Sequence, residues 1–224
     1  MRLSGLYLVV DASAERVLER AEQALRGGVD VLQLWGLKNA LDVATLGHEL
    51  RRLAQRSGVP LLVQDDVELA KTLKADGVHL DREDLTPPQA REQLGKGVII
   101  GVTCSTRFEK VLWAVEQGAD YISFCSIFPS PSVNVCDLVP LELVHQAKAS
   151  VKVSIFASGG ITLENARQVL EAGVDGLAIS SGVLRASDPQ DAARRFKALL
   201  AQFGKGRNHV IISGAVEDIS MPRL

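Results

Sequence analysis

Apolar residues in this chain cluster into eight short runs, and between the runs they recur at helical spacing. Within a run nearly every position is apolar, which is typical of parallel strands that helices cover and that are buried on both faces. Apolar positions three or four residues apart indicate amphipathic helices, most clearly in residues 17–25 and 163–170. The predicted strands are residues 6–10, 31–34, 61–63, 78–80, 98–102, 121–127, 153–157 and 177–179.

Four aspartates mark an internal repeat. Asp30, Asp76, Asp120 and Asp175 each follow a glycine or alanine at the end of a predicted helix and stand just before an apolar run. They lie roughly 44–55 residues apart, about twice the length of one strand–helix unit, so the repeat spans two units. Eight strand–helix alternations predict an α/β protein with a closed (β/α)8 TIM barrel, and an open doubly wound sheet is the alternative.

The chain has the length of one domain, since barrels of about this size form a single core. The last helix has a clear start, with Asp188 as a candidate N-cap and Pro189 in the first turn. A glycine-containing polar stretch after Phe203 breaks the helical pattern. We therefore assign residues 1–204 to a single barrel and residues 205–224 to an irregular C-terminal tail.

Composition and charge narrow the classes of partner. The formal net charge is −2 and only 4% of the residues are aromatic, which excludes a basic nucleic-acid-binding surface with stacking rings. No apolar run is long enough for a signal peptide or a membrane span. The three cysteines are odd in number and lack metal-finger spacing, as expected in a reducing compartment. We predict a cytoplasmic protein without nucleic-acid or membrane partners, and a homo-oligomer remains open.

Two glycine- and serine-rich turns follow the last two predicted strands. The first contains Gly159 and Gly160, and the second contains Ser180 and Ser181 followed by Gly182. In a TIM barrel, the loops after strands seven and eight form the usual phosphate site. Glycine lets the backbone approach an anion closely, and amide groups at a helix start point towards it. These turns predict binding of a small phosphorylated ligand.

Aspartates follow two neighbouring predicted strands at the carboxyl end of the barrel, where active sites of this fold lie. Asp65 and Asp66 follow the third strand, and Asp84 follows the fourth. Converging carboxylates without a histidine pair or a set of thiolates suit a hard cation, which predicts Mg²⁺. The alternative is that these aspartates only cap the helices that follow.

The order of these motifs resembles that of the thiamine phosphate synthase and thiazole tautomerase superfamily, from Leu6 to about Leu200. The resemblance implies a barrel that joins hydroxymethylpyrimidine diphosphate to thiazole phosphate and releases pyrophosphate. The segments that carry it are Tyr7-Leu8-Val9-Val10-Asp11, Leu32-Gln33-Leu34, Gln64-Asp65-Asp66-Val67-Glu68-Leu69-Ala70, Ala75-Asp76-Gly77-Val78-His79-Leu80, Glu83-Asp84, Ile100-Gly101-Val102, Gly118-Ala119-Asp120-Tyr121-Ile122, Ile127-Phe128-Pro129 and Gly159-Gly160-Ile161.

The resemblance also implies roles for single residues. Magnesium and cationic side chains hold the diphosphate in that family, and the departure of pyrophosphate leaves a pyrimidine cation that the thiazole nitrogen attacks. By position, Asp65 and Asp84 are the implied magnesium ligands and Gln33 lines the implied pyrimidine pocket. The two glycine and serine turns are the implied binding site of the thiazole phosphate. The implied catalytic candidates are Gln33, Gln64, Ser130 and Ser132, and the implied substrate-binding candidates are Trp35, Lys38, Arg82, Thr103, Cys125, Gly159, Gly160, Ser180 and Ser181.

The chain departs from the family pattern where the diphosphate is expected. Trp35 stands in place of an arginine, Lys38 is displaced by one position, and the loop lysine is replaced by Val133. Each charge-assisted hydrogen bond contributes about 1.5–3 kcal/mol, so two lost cations cost about 3–6 kcal/mol unless Arg82 or Lys38 compensates. The flat apolar face of Trp35 suits packing against an aromatic ring or closing a pocket. The alternative is that its side chain only fills the core. The other changes are Gln64 for asparagine, Asp81-Arg82 for glycine-glutamine, Ser130-Pro131-Ser132 for a threonine-rich loop and Cys125 for glycine.

The tautomerase branch fits less well, because it uses a histidine after strand five, where this chain has Thr103 and Cys104. His48, His79 and His145 are interpreted as structural or solvated, and His209 lies in the tail. Cys104, Cys125 and Cys136 could converge at the barrel mouth, and buried, unreactive cysteines are the alternative. The leading hypothesis is a synthase-type transferase of reduced or altered activity. The alternatives are a non-catalytic or regulatory barrel that binds thiazole phosphate or thiamine phosphate, and an isomerase of a phosphorylated ligand.

Overall fold

Eight parallel strands close into one barrel in the computed structural model, which describes residues 3–36, 42–129 and 137–206. Each strand pairs with the next along the chain, and β1 pairs with β8, so the sheet has no open edge. This confirms the predicted TIM barrel and excludes the open sheet. The strands are β1 (Gly5–Asp11), β2 (Val31–Trp35), β3 (Leu61–Gln64), β4 (Gly77–Leu80), β5 (Ile99–Cys104), β6 (Tyr121–Phe124), β7 (Ser154–Ser158) and β8 (Gly176–Ile179).

Helices alternate with the strands and surround the barrel. Asp188 accepts a hydrogen bond from the Asp191 amide at 2.9 Å, which confirms the predicted start of the last helix. Within the described residues, no helix is both long and apolar enough to cross a membrane. The helices are α1 (Val17–Arg26), α2 (Val43–Ser57), α3 (Val67–Leu73), α4 (Pro87–Leu94), α5 (Phe108–Glu116), α6 (Leu141–Ser150), α7 (Ala166–Glu171), α8 (Ser181–Leu184) and α9 (Pro189–Gly206).

Most strand boundaries differ from the predicted ones by one or two residues, and two other boundaries need a correction. Strand β6 ends at Phe124 rather than at residue 127, because the chain leaves the barrel wall after it and Ile127 instead bonds the carbonyl of Ser158 at 2.9 Å. Helix α9 continues to Gly206, so residues 205 and 206 belong to a helix and not to the irregular tail. Residues 207–224 lie outside the described part of the chain.

The barrel interior holds its own core, separate from the larger core between strands and helices. Tyr7, Tyr121 and Phe156 meet edge to face there, with ring centroids 5.3–6.0 Å apart. Gly101 and Gly176 make room for these rings, since a Cβ at either position would overlap Tyr121 or Phe156. The aromatic cluster fills the interior below the strand ends and leaves the space above it for a ligand.

The four repeated aspartates join the strands in pairs at the amino end of the barrel. Each aspartate precedes an even-numbered strand and accepts a hydrogen bond at 2.7–3.0 Å from a backbone amide of the strand before it. Its own amide donates back to the carbonyl of that same residue at 2.7–2.8 Å. Each carboxylate also pairs with a cation from a helix. The aspartate–cation pairs are Asp30–Lys197, Asp76–Arg51, Asp120–Arg91 and Asp175–Lys148.

Replacing Asp175 with alanine is expected to destabilise the barrel by about 3 kcal/mol, because it leaves the buried Ile155 amide without its 3.0 Å acceptor and Lys148 without its partner. For a chain of this size, the melting temperature should fall by about 6–12 °C in calorimetry. Glu171→Ala is the control, since its pair with Arg167 is exposed and contributes little. Equal melting temperatures for the two variants would show that the repeat does not stabilise the fold.

Candidate active site

A cavity of about 320 Å³ opens at the carboxyl ends of the strands, above the aromatic cluster. Side chains from β1 to β6 form its floor and walls, and the turns after β7 and β8 form one corner. It contains both predicted turns and five further predicted site residues, which are Gln33, Trp35, Gln64, Thr103 and Cys125. The cavity is lined by Tyr7, Val9, Gln33, Trp35, Gln64, His79, Asp81, Thr103, Ser123, Cys125, Ser158, Gly159, Gly160, Ile161, Ala178, Ile179, Ser180, Ser181 and Gly182.

Polar side chains on the cavity floor form a continuous set of hydrogen bonds. The Tyr7 hydroxyl donates to Gln33 Oε1 at 2.7 Å and lies 2.9 Å from the Tyr121 hydroxyl. His79 Nδ1 lies 2.8 Å from that hydroxyl, and His79 Nε2 lies 2.8 Å from Thr103 Oγ1. Burial raises the pKa of both tyrosines and lowers the pKa of His79, against the opposing effect of the nearby Asp81 and Asp65 carboxylates. All three rings are therefore neutral near pH 7.

The corner formed by the glycine and serine turns faces the cavity, and neighbouring backbone and side-chain contacts fix its shape. Gly159 and Gly160 have φ angles of 86° and 64°, which favour glycine. A Cβ at Gly160 would overlap the backbone of Phe128 and Pro129. The Asn165 amide donates to the Gly160 carbonyl at 2.9 Å and so fixes the turn. Ser180 is the N-cap residue of α8, which places the start of that helix at the same corner.

A second cavity of about 910 Å³ adjoins the first and shares Trp35, Gln64 and Asp81 with it. Its described lining is strongly acidic, and Arg82 is the one cationic side chain in it. Trp35 lies at the boundary of the two cavities and lines both, so it is not plain core filling. The acidic residues of the second cavity are Asp11, Asp65, Asp66, Glu68, Asp81 and Asp84.

Arg82 brings the two predicted magnesium ligands together. Its guanidinium lies 3.7 Å from Asp65 Oδ2 and 3.5 Å from Asp84 Oδ2. The other oxygen of Asp65 accepts the backbone amides of Asp81 at 2.7 Å and of Arg82 at 3.2 Å. Of the three aspartates, Asp66 is the helix cap, since its carboxylate accepts the Leu69 amide at 2.8 Å. The capping alternative thus holds for Asp66, whereas Asp65 joins the ends of two strands.

The carboxylates that line the second cavity suit a divalent cation that is bound together with the phosphates of a substrate. In the described part of the chain, no three histidine, cysteine, aspartate or glutamate side chains are grouped to hold a metal. Mg²⁺ commonly uses only one or two carboxylates and completes its shell with water and substrate phosphates. Asp65 and Asp84, which converge on one guanidinium, supply two such carboxylates.

Some predicted site residues fall elsewhere. Lys38, Ser130, Ser132 and Cys136 lie outside the described residues. Cys104 does not reach the barrel mouth: it is fully buried in the core between barrel and helices, and burial raises its pKa to about 12. The suggested cluster of converging thiols is therefore wrong for Cys104, because its position on β5 directs it outward. Cys125 does line the cavity, with its sulfur 3.4 Å from Ser126 Oγ.

Alkylation should distinguish these thiols. Iodoacetamide at pH 8 is expected to modify Cys125, which is partly exposed in the cavity, at least tenfold faster than the buried Cys104. Peptide mass spectrometry over a time course measures both rates in the folded protein. Equal rates without denaturant would contradict the burial of Cys104.

The sequence did not predict Tyr7 and Ser123 as cavity residues, nor the buried Tyr121 that contacts Tyr7 and His79, and His79 was expected to be structural or solvated. All four lie within strands, whereas the predicted site residues lie where the predicted strands end. The signal was present, because a polar or hydroxylated side chain on the inward face of an apolar strand has few partners other than a ligand or another such side chain. Strand alternation places Gln33 on the same face of β2 as Trp35.

The fold and the position of the cavity define a class, the (β/α)8 barrels, in which the turns after the last two strands are the usual phosphate site. Comparison with known proteins gives the particular family. The sequence model described as thiamine monophosphate synthase matches residues 6–183, and the chain belongs to this family. The predicted resemblance is thereby confirmed.

Relatives within the family match nearly the whole chain. A thiamine-phosphate synthase of Azoarcus is 39% identical over 203 residues, which cover 89% of this chain and 98% of the relative. One from Acidithiobacillus ferrooxidans is 40% identical over 207 residues, covering 88% and 94%. Among solved structures, thiamine phosphate pyrophosphorylase from Pyrococcus furiosus superposes with a TM-score of 0.79 at 32% identity and covers 89% of this chain and 96% of that one.

Proposed function

We propose that this protein is a thiamine phosphate synthase, which joins hydroxymethylpyrimidine diphosphate to thiazole phosphate and releases pyrophosphate. The observation that carries the proposal is the pair of adjoining cavities in a chain of this family. One cavity ends in a neutral corner of glycines and serines, and the other has a wall of carboxylates. A reaction between a phosphate monoester and a magnesium-bound diphosphate needs two such sites side by side.

The corner after β7 and β8 is assigned to the thiazole phosphate. It offers the Ser180 and Ser181 hydroxyls and the glycine backbone, and no carboxylate lies among the residues of the two turns that line it. The short helix α8 begins there, so its first amides add a favourable partial positive charge. This combination binds a phosphate monoester without requiring a lysine or arginine.

The acidic wall is assigned to the diphosphate and its Mg²⁺, with Asp65 and Asp84 as the carboxylates that hold the ion. When bound, Mg²⁺ supplies positive charge that offsets both the diphosphate and the carboxylates, which favours departure of pyrophosphate. Arg82 already contacts both aspartates, so it lies within reach of a diphosphate held by them. We assign it the role of diphosphate-binding cation, together with Lys38, in place of the lost family arginine and lysine.

The reacting groups meet at the boundary between the cavities. The bond between the pyrimidine methylene carbon and the diphosphate oxygen breaks, the pair of electrons leaves with pyrophosphate, and the thiazole nitrogen forms the new bond to that carbon. Trp35, Gln64 and Asp81 line this boundary. The Trp35 ring offers an apolar face that limits access of water to the pyrimidine cation, and Gln33 contacts the pyrimidine ring. Ser130 and Ser132 stay catalytic candidates by the family resemblance, and both lie outside the described residues.

The test is formation of thiamine phosphate from the two purified substrates with Mg²⁺, followed by chromatography with fluorescence detection. We expect turnover that requires both substrates and disappears with a chelator. Tight binding of thiazole phosphate in calorimetry without any turnover would instead indicate the non-catalytic binding barrel.

Since the chain carries free cysteines, the reaction is assigned to the cytoplasm.

A further inference from the structure

Five polar side chains form one uninterrupted line through the barrel interior, and both of its ends reach the ligand cavity. The line runs from Gln33 on β2 through Tyr7, Tyr121 and His79 to Thr103 on β5, with four contacts of 2.7–2.9 Å. Gln33 and Thr103 line the cavity from different strands. The three middle residues are buried, so water does not compete for these contacts.

The number of protons determines the direction of every hydrogen bond in the line. The Tyr7 hydroxyl has one proton, and it donates this proton to Gln33 Oε1. Tyr121 must then donate to Tyr7, because one hydroxyl proton serves one bond. With the Tyr121 proton used, His79 has to donate from Nδ1, and its unprotonated Nε2 has to accept from the Thr103 hydroxyl.

The two ends of the line therefore present opposite hydrogen-bonding characters to the cavity. Since Gln33 Oε1 is occupied by Tyr7, the Gln33 Nε2 protons remain for the ligand, and Gln33 acts as a donor. Since the Thr103 proton is used by His79, the Thr103 oxygen can only accept. Reversing one end would require reversing all four bonds and moving the His79 proton from Nδ1 to Nε2.

We propose that Tyr7, Tyr121 and His79 are positioning residues that select an aminopyrimidine by making Gln33 an obligatory donor and Thr103 an obligatory acceptor. This inference rests on the proposed function for the identity of the ring. A ring nitrogen of an aminopyrimidine accepts a hydrogen bond and its exocyclic amine donates one, which matches the two ends. An oxo-pyrimidine offers a ring N–H and a carbonyl at the same places. Its N–H then faces the Gln33 donor and its carbonyl faces the Thr103 acceptor, so neither hydrogen bond forms.

The state of His79 can be observed directly. With ¹⁵N-labelled protein at pH 7.5, long-range ¹H–¹⁵N spectra should show a protonated, pyrrole-like Nδ1 and an unprotonated, pyridine-like Nε2 for this ring, before and after aminopyrimidine addition. The variants His48→Gln, His145→Gln and His209→Gln remove the other signals one by one and so assign it. A protonated Nε2 with a bare Nδ1 in the unliganded protein overturns the proposal, whether or not the protein makes thiamine phosphate.

Tyr121→Phe interrupts the line in its middle while keeping the ring that packs against Tyr7 and Phe156. His79 then loses its acceptor at Nδ1, and we expect its proton to move to Nε2, facing Thr103. Calorimetry with hydroxymethylpyrimidine diphosphate and Mg²⁺ should show a dissociation constant raised about tenfold. Binding of pyrophosphate with Mg²⁺, which lacks the ring, should remain within twofold and serves as the control ligand.

A second variant protects the test against misfolding. If Tyr121→Phe does not fold, Thr103→Val removes the last member of the line at the cavity edge, and the same selective loss of ring binding is expected. Thr103→Ser keeps the hydroxyl and should restore binding. Equal weakening of both ligands, or no weakening of either, overturns the inference. Because these are binding measurements, absence of transferase turnover in the wild type would overturn the proposed function alone.

Discussion

Asp84→Asn is expected to lower kcat/KM for the pyrimidine diphosphate about a hundredfold, with little change in folding stability. The side chain is 62% exposed and contacts Arg82 only at 3.5 Å, so the fold does not depend on it. Asparagine keeps the shape and removes the charge, which leaves Asp65 as the one remaining carboxylate of the two assigned to Mg²⁺. A charge that offsets the leaving diphosphate acts most strongly in the transition state, where removal of a single such group costs roughly two to three decades in rate.

Glu83→Gln is the matched control for this substitution. Glu83 is the neighbouring acid, equally exposed, and it pairs with Lys110 at 3.1 Å on the side of α5. It does not line the second cavity in the described structure, so kcat/KM should stay within about threefold of the wild type. Steady-state rates at several Mg²⁺ concentrations separate the two variants, and the Asp84→Asn defect should shrink as Mg²⁺ is raised. Equal losses in both variants would contradict the assignment of Asp84.

Ser180→Asp is expected to weaken binding of thiazole phosphate at least a hundredfold. The serine lies in the corner assigned to the phosphate, and a carboxylate there places like charge against the monoester. Two unit charges about 4 Å apart repel by about 4 kcal/mol at an effective dielectric constant near 20, which corresponds to roughly three decades in affinity. Titration calorimetry with thiazole phosphate measures the change directly.

Ser180→Asn separates charge from size in this experiment. Asparagine and aspartate have nearly the same shape, and both are good residues at an N-cap, so α8 should keep its start in either variant. The neutral variant should bind thiazole phosphate within about tenfold of the wild type. If Ser180→Asp binds as well as Ser180→Asn, the monoester is not bound at this corner.

The architecture was readable from the sequence because local signals and the repeat agree. Apolar runs predicted all eight strands, and the Asp30, Asp76, Asp120 and Asp175 spacing gave the two-unit period. The structure explains the repeat, since each aspartate joins two consecutive strands. Strand β6 was predicted too long, because the apolar Ile127 continues the hydrophobic run although the chain has already left the barrel wall.

The candidate site was only partly predictable, for a different physical reason. Strand ends identified Gln33, Trp35 and the acidic wall, since the fold fixes which end of a strand faces the ligand. The ion pairs of Arg82 depend on side-chain directions that adjacent strands set together, and the sequence does not encode them in any local pattern. The same holds for the contact between Tyr7 and Tyr121, which are 114 positions apart.

The aspartate–cation pairs lie at the end of the barrel opposite to the substrate cavity. A substitution at the mouth, such as tryptophan for arginine at position 35, leaves all four of these strand connections intact. Substitutions at the ligand-facing end therefore need not destabilise the barrel, because the residues that join the strands and the residues that line the cavity lie at opposite ends. In a chain so organised, substitutions at the carboxyl-terminal rim can change ligand specificity while the amino-terminal rim continues to join the strands.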